Sequence, residues 1–139
     1  MKRALADGYE LDDDPDRIDI DAVHAYISGE SYWGQGRPRA AVERAVRTSD
    51  RVVGLYKGDA QVGFSRAVTD EGANVSYLAD VYVLAEHRGH GLGLELVREM
   101  VDNGPLAGNT WLLHTRDMHG LYAKLGFGPP GERLMERPS

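Results

Sequence analysis

The stretch EHRGHGLGLEL, Glu86 to Leu96, sets glycines at 89, 91 and 93 at the mouth of a run of strong helix formers. It follows directly on the apolar-rich run Val75 to Val83, so the local order is strand, glycine turn, helix. Glycine weakens a helix because it loses the most backbone freedom on folding, so its use here calls for a local reason. The first-turn N–H groups of a helix lack internal partners, and the aligned peptide dipoles leave about half a positive charge there. Glycines let that backbone curl around an anion, and Arg88 adds a fixed charge beside it. The expectation is a phosphate or diphosphate cradle. The alternative is a glycine-rich turn required only for tight packing.

Two familiar phosphate-binding patterns do not fit. A P-loop closes on Gly-Lys-Ser/Thr, whereas Gly93, Leu94 and Glu95 stand here. A dinucleotide fold places its glycines after the first strand, and here the third glycine also falls one position early.

The remaining pattern supplies the frame. A short strand is expected at Tyr9 to Leu11, then a solvated turn at Asp12, Asp13 and Asp14. Asp19 is the expected cap of a helix carrying Ile20, Val23 and Ile27 on one face and ending at Gly29. After the loop SYWGQGRP, Pro38 can open a second helix with Ala41, Val42, Ala45 and Val46 as its apolar face. Two helices in succession suggest a lid. Val52 to Tyr56 and Gln61 to Val68 flank turn residues and form an expected antiparallel hairpin, with Val75 to Val83 as the next strand. In the helix after the glycines, Leu92, Leu96, Val97, Met100 and Val101 share a face until Asn103, Gly104 and Pro105 stop it. Thr110 to Thr115 is a further strand. Asp117 is the expected cap of a short helix with Met118, Leu121, Tyr122 and Leu125 on one side, closed by Gly126 and Phe127. Glu132 to Arg137 could add a last strand. The whole is a mixed α/β sheet, expected as one domain over 1–139, since 139 residues bury a single core.

Composition narrows the function. Without cysteine there is no disulfide framework, thiolate metal site or thiol nucleophile, and a cytoplasmic location is the simplest expectation. No signal-like segment opens the chain and no run of 18 apolar residues occurs, so no membrane partner is expected. A formal charge of −6 disfavours nucleic acid and tilts the expectation toward a cationic substrate.

VYVLAEHRGHGLGLELV, Val81 to Val97, resembles the coenzyme motif of the GNAT acetyltransferase superfamily, with Arg-x-x-Gly-x-Gly falling on Arg88, Gly91 and Gly93. LYAKLGFGP, Leu121 to Pro129, is similar to the family's second motif through Tyr122, Lys124, Gly126 and Phe127. The resemblance spans about Val75 to Pro129. It implies a twisted, mostly antiparallel sheet of about six to seven strands flanked by four helices, with a splay between the pattern's fourth and fifth strands, Val75 to Val83 and Thr110 to Thr115. It also implies acetyl-coenzyme A as co-substrate, no metal, and an amine acceptor. The pantetheine arm would pair with backbone at Val81, Tyr82 and Val83, and the diphosphate would rest on Arg88, Gly89, His90, Gly91, Leu92 and Gly93. Thr115 stands where relatives carry an asparagine that contacts coenzyme. Dimers are common among relatives, which leaves a homodimer open.

Acyl transfer to an amine needs a positioned neutral amine, a donor for the oxyanion and a proton for the leaving thiolate. Tyr122 is the candidate acid, as the matching tyrosine is in the family; its apolar setting also fits a core aromatic. Asp80, a carboxylate inside an apolar strand, is the candidate base, or the partner of a salt bridge such as one to Arg66. The position where polyamine-type relatives carry a glutamate base is Ala79 here, which argues against a polyamine acceptor. His114 has a suitable ordinary pKa for proton transfer, or is simply solvated. Tyr32 and Trp33 are the candidate acceptor wall, or staples between helices and sheet. The function so implied is acetyl transfer to a primary amine by direct attack. The rival readings are a non-catalytic acyl-coenzyme A-binding module and a protein amino-group acetyltransferase.

Overall fold

The computed structural model describes all 139 residues, Met1–Ser139. Six strands form one sheet in sequence order: β1 (Lys2–Ala4), β2 (Tyr9–Asp12), β3 (Arg51–Lys57), β4 (Ala60–Asp70), β5 (Val75–Val83) and β6 (Thr110–Leu112). The first four pairings are antiparallel and the last, β5 with β6, is parallel. Four helices accompany them: α1 (Ile20–Gly29), α2 (Arg39–Thr48), α3 (Leu92–Asp102) and α4 (His119–Ala123).

The apolar stripes decide the layering. Leu92, Leu96, Val97 and Met100 of α3 pack on Leu11, Val53, Leu55 and Leu78 on one face of the sheet. Val23, Ile27, Val42 and Val46 of α1 and α2 pack on Val52, Phe64 and Tyr82 on the other. Burying both faces of the central strands forces helices onto both sides, so the order is helix, sheet, helix. Asp19 starts α1 by accepting from the Ala22 N–H, which satisfies one orphan donor of the first turn.

The sheet opens at β6. That strand pairs with β5 only through Val75–Thr110, Ser76–Trp111 and Tyr77–Leu112, whereas β5 stays on β4 as far as Val83. From Leu78 onward the other edge of β5 has no strand beside it. Within that free stretch Phe64 faces Tyr82 but Arg66 faces Ala79, so Asp80 and Val81 together oppose one residue of β4. This is a β-bulge, and it holds Asp80 at φ +54, a conformation uncommon for a side-chain-bearing residue.

Several local expectations change. A strand at Lys2–Ala4, lacking any apolar alternation, forms on the edge of β2. Asp12 is buried rather than solvated, its carboxylate taking Arg17 Nη1 at 2.9 Å and the Asp14 N–H at 3.0 Å. Pro38 caps α2 from outside in extended conformation, so the helix starts one residue later. The strand expected to Thr115 ends at Leu112 because its partner diverges there. Asp117 does not cap α4, which begins after Met118 with no side-chain cap; Thr115 Oγ1 accepts the Met118 N–H at 3.0 Å in the turn before it. Gly126, at φ +90, closes α4 with the Phe127 N–H on Tyr122 O and its own N–H on Ala123 O, a Schellman pair. No strand forms at Glu132 to Arg137, where Leu134 and Met135 are exposed and no apolar face drives docking.

Candidate active site

The glycine turn is an open backbone cradle. Gly89 and Gly91 sit at φ +88 and +73, and a Cβ added at either would meet no atom within 4 Å. The N–H groups from Gly89 through Leu94 donate to no protein acceptor; the next one, Glu95, reaches Gly91 O. Unpaired donors, a helix dipole and exposed surface make a site for anionic oxygen. His90 and Leu92 contribute main chain here. Arg88, however, does not reach into the cradle. Its Nε donates to Val83 O at 2.9 Å and its Nη2 to the Tyr26 hydroxyl at 2.9 Å, tying α1 to the end of β5. Tyr26 in turn stacks on Tyr82, with ring centroids 4.1 Å apart and planes 8° from parallel. The Tyr82 side chain is thereby committed to α1, and only its backbone faces other work.

From the cradle the free edge of β5 runs back past Val83, Tyr82 and Val81 to the apex of the splay at Tyr77. Tyr122, on α4, packs edge-on against Phe127 with centroids 5.7 Å apart and joins the periphery of the α3-side core. Burial, with the Tyr32 phenol nearby, pushes the Tyr122 phenol up to about 12. Its hydroxyl has no protein hydrogen-bond partner, and it holds its proton across the neutral range.

Asp80 is the hub on the α1/α2 face. Oδ1 accepts the Trp33 indole N–H at 2.7 Å, and Oδ2 accepts Arg66 Nε at 2.7 Å and Arg37 Nη1 at 3.0 Å. Burial pushes the carboxyl up, but the Arg66 hydrogen bond, the charges of Arg66 and Arg37 and the Trp33 bond outweigh it and hold Asp80 below its ordinary value. A carboxylate so stabilised has little affinity for a proton from an ammonium group, so this geometry suits positioning better than base catalysis.

The α1–α2 loop bridges the splay. Tyr32 stands edge-on to Trp33, and its hydroxyl accepts the Arg116 N–H at 2.8 Å, while the Arg116 guanidinium lies 3.9 Å over the Tyr32 ring. Trp33 therefore holds β5 and Tyr32 holds the chain after β6. At the apex, Tyr77 and His114 Nδ1 share a hydrogen bond of 2.5 Å, and His114 Nε2 lies 2.9 Å from Glu136. His114 and Glu136 are both well exposed. Thr115 has its hydroxyl engaged by the Met118 N–H just before α4.

Tyr32 and Trp33 thus join the Asp80 network to the chain after β6, with the Tyr122 phenol near Tyr32 and His114 held at the apex by Tyr77. The free N–H groups of the cradle begin at Gly89, because the Arg88 N–H reaches Ala85 O. Tyr26, Arg37, Tyr77 and Arg116 escape sequence reasoning. Arg37 and Arg116 are single charges in polar loops, and Tyr26 and Tyr77 look like ordinary aromatics until their partners, 62 and 37 residues away, are known.

The family model described as Acetyltransferase (GNAT) family matches residues 20–127. A Gibberella zeae protein named "Putative acetyltransferase" is 32% identical over 140 residues, covering 85% of this chain and 78% of its own. A crystal structure from Xanthomonas campestris pv. campestris, described in the same words and as belonging to that family, is 36% identical with a TM-score of 0.85, covering 94% and 93% of the two chains. Glucosamine-6-phosphate N-acetyltransferase from Arabidopsis thaliana shares the fold alone, at 12% identity and a TM-score of 0.63, covering 93% and 97%.

Proposed function

The chain belongs to the GNAT acetyltransferase family, and on that premise we propose that it moves the acetyl group of acetyl-coenzyme A to a primary amine by direct attack. The observation that carries the reading is the run of unpaired N–H groups from Gly89 through Leu94, beside the edge of β5 that β6 leaves free. The cradle would hold the diphosphate, and the backbone of Val81 to Val83 would pair with the amides of the pantetheine arm. Bound there, the coenzyme supplies the activated thioester. The reaction would use one domain over 1–139 and no metal, and the cysteine-free chain suits a reducing cytoplasm.

Each residue then has a stated task. Tyr122, protonated up to about pH 12, would meet a departing alkyl thiolate that is a weaker base than its own phenolate. Complete proton transfer to that sulfur is uphill, so the phenol acts as a hydrogen-bond donor to it as charge develops. Asp80 orients Trp33, Arg37 and Arg66 around the acceptor. The amine loses its proton to water or to the exposed His114 at the apex, whose Nδ1 contacts Tyr77 and whose Nε2 contacts Glu136. With no cysteine in the chain, no thiol-linked acyl-enzyme forms.

The test offers acetyl-coenzyme A with a panel of amines and detects free thiol, alongside calorimetry of coenzyme binding. Thiol release that requires an amine supports the reading. Coenzyme binding with no release under any amine would leave a non-catalytic acyl-coenzyme A-binding module, and no binding at all would overturn both.

A further inference from the structure

We propose that the acceptor amine carries an anionic oxygen group, a carboxylate or a phosphate, held by the surplus positive charge of Arg37 and Arg66 beside Asp80. This deepens the acetyl-transfer reading and rests on it. Two guanidinium groups share the single Asp80 carboxylate, and no other carboxylate comes within ion-pair distance of either. One positive charge is left uncompensated.

The donors are arranged to use it. Arg66 engages Asp80 through Nε, which leaves Nη1 and Nη2 with no protein acceptor; Arg37 engages it through Nη1, which leaves Nη2 free. The two side chains are 26% (Arg37) and 18% (Arg66) exposed, so these nitrogens border solvent while the carboxylate behind them is 6% exposed. A guanidinium edge with two free N–H-bearing nitrogens, locked by a buried carboxylate, matches the spacing of two oxygens on a carboxylate or phosphate. Asp80 already accepts three hydrogen bonds, from Trp33, Arg37 and Arg66, and two guanidinium groups more than match its charge, so it offers a second ammonium group little.

The position is that of the acceptor. Asp80 lies on the stretch of β5 that β6 leaves free, and Trp33, bonded to it, belongs to the loop that reaches across to Arg116 through Tyr32. Arg116 adds a third guanidinium on the opposite bank, 4.0 Å from Asp117 and otherwise without an ion-pair partner. The formal charge of −6 does not oppose this, since exposed charges beyond about 8 Å are screened at physiological ionic strength. The surplus at the Arg37, Arg66 and Asp80 cluster therefore acts locally, whatever the chain average that had pointed to a cationic substrate.

The experiment offers the full chain, with acetyl-coenzyme A, primary alkyl amines of one length that end in a carboxylate, a phosphate, a hydroxyl or a second ammonium group. The expected result is that kcat/KM for the carboxylate or the phosphate arm exceeds that for the hydroxyl arm by about 10- to 100-fold, the effect of a charge-assisted hydrogen bond. The better of those two arms identifies the anion. Arg66→Gln and the milder Arg66→Lys, each checked for folding by circular dichroism, should raise KM for the anionic arm at least about 10-fold more than for the hydroxyl arm. Preference for the hydroxyl or diamine arm overturns the proposal while acetyl transfer stands. Should no arm release thiol, calorimetry with N-acetylglycine, O-phospho-N-acetylethanolamine and N-acetylethanolamine decides. Tighter binding of either anionic compound supports an anion site even without turnover, and equal or absent binding overturns it.

Discussion

Trp33 donates its indole N–H to Asp80 Oδ1 at 2.7 Å, joining the loop between α1 and α2 to the bulge of β5 across 47 residues of sequence. With the bonds of Arg37 to Asp80 and of the Arg116 N–H to Tyr32, it holds that loop beside the free edge of the sheet. Trp33→Phe keeps an aromatic ring but removes the donor and part of the ring surface. We expect a loss of about 1 kcal/mol in urea unfolding and a rise in acceptor KM with coenzyme affinity unchanged. An equal fall in coenzyme affinity by calorimetry would mean that the loop serves the whole cleft rather than its acceptor side.

Tyr122 carries its hydroxyl in a half-buried apolar setting with its pKa pushed up to about 12. Tyr122→Phe should lower kcat on the order of 10²-fold with little change in either KM. The wild-type rate should show no alkaline decline from this group below about pH 10, because the phenol stays protonated there. A thiol-release profile with a falling limb near pH 9, absent from Tyr122→Phe, would refute the assignment.

Gly91, at φ +73, aims the first N–H groups of α3 outward. Gly91→Ala meets no steric contact, so its effect is conformational, roughly 1–2 kcal/mol of strain relieved by turning the donors away. Coenzyme affinity should drop about 10-fold by calorimetry. Gly108, with equally open surroundings and no positive φ, provides the control, and Gly108→Ala should bind coenzyme as the wild type does.

Asp80 has a folded-state pKa below its ordinary 3.8, so its ion pairs contribute stability that is fully present above 3.8 and is lost as pH falls through the lower folded value. Against the upward push of burial, Asp12 and Asp13 shift the same way, Asp12 through Arg17 and Asp13 through the N-terminal ammonium of Met1 and then Arg51. Denaturant unfolding from pH 6 to 2 should show stability falling in the acid range, with a shallower fall in Asp80→Asn. Identical slopes in the two proteins would show that Asp80 is not held low.

Much of the frame was legible because it follows from local periodicity. Val75–Val83 appears with the boundaries its composition suggests, and α3 buries the leucine, valine and methionine face that spacing selects. Caps set by a single side chain, such as Asp19, were equally plain. Elements lacking a periodic signal were not. Strand β1 has no apolar alternation, and the tail after Pro130 has too little apolar surface to dock.

The sequence by itself determined the glycine cradle, the helix behind it and the tyrosine motif near the end, because each is written in neighbouring residues. It also determined that the chain has no thiol to offer. Only the tertiary structure decided that Arg88 ties Tyr26 rather than facing the cradle, and that Asp80 is claimed by Trp33, Arg37 and Arg66. Those contacts join residues 14 to 62 positions apart, and the field at a site depends on distances in space that composition averages away.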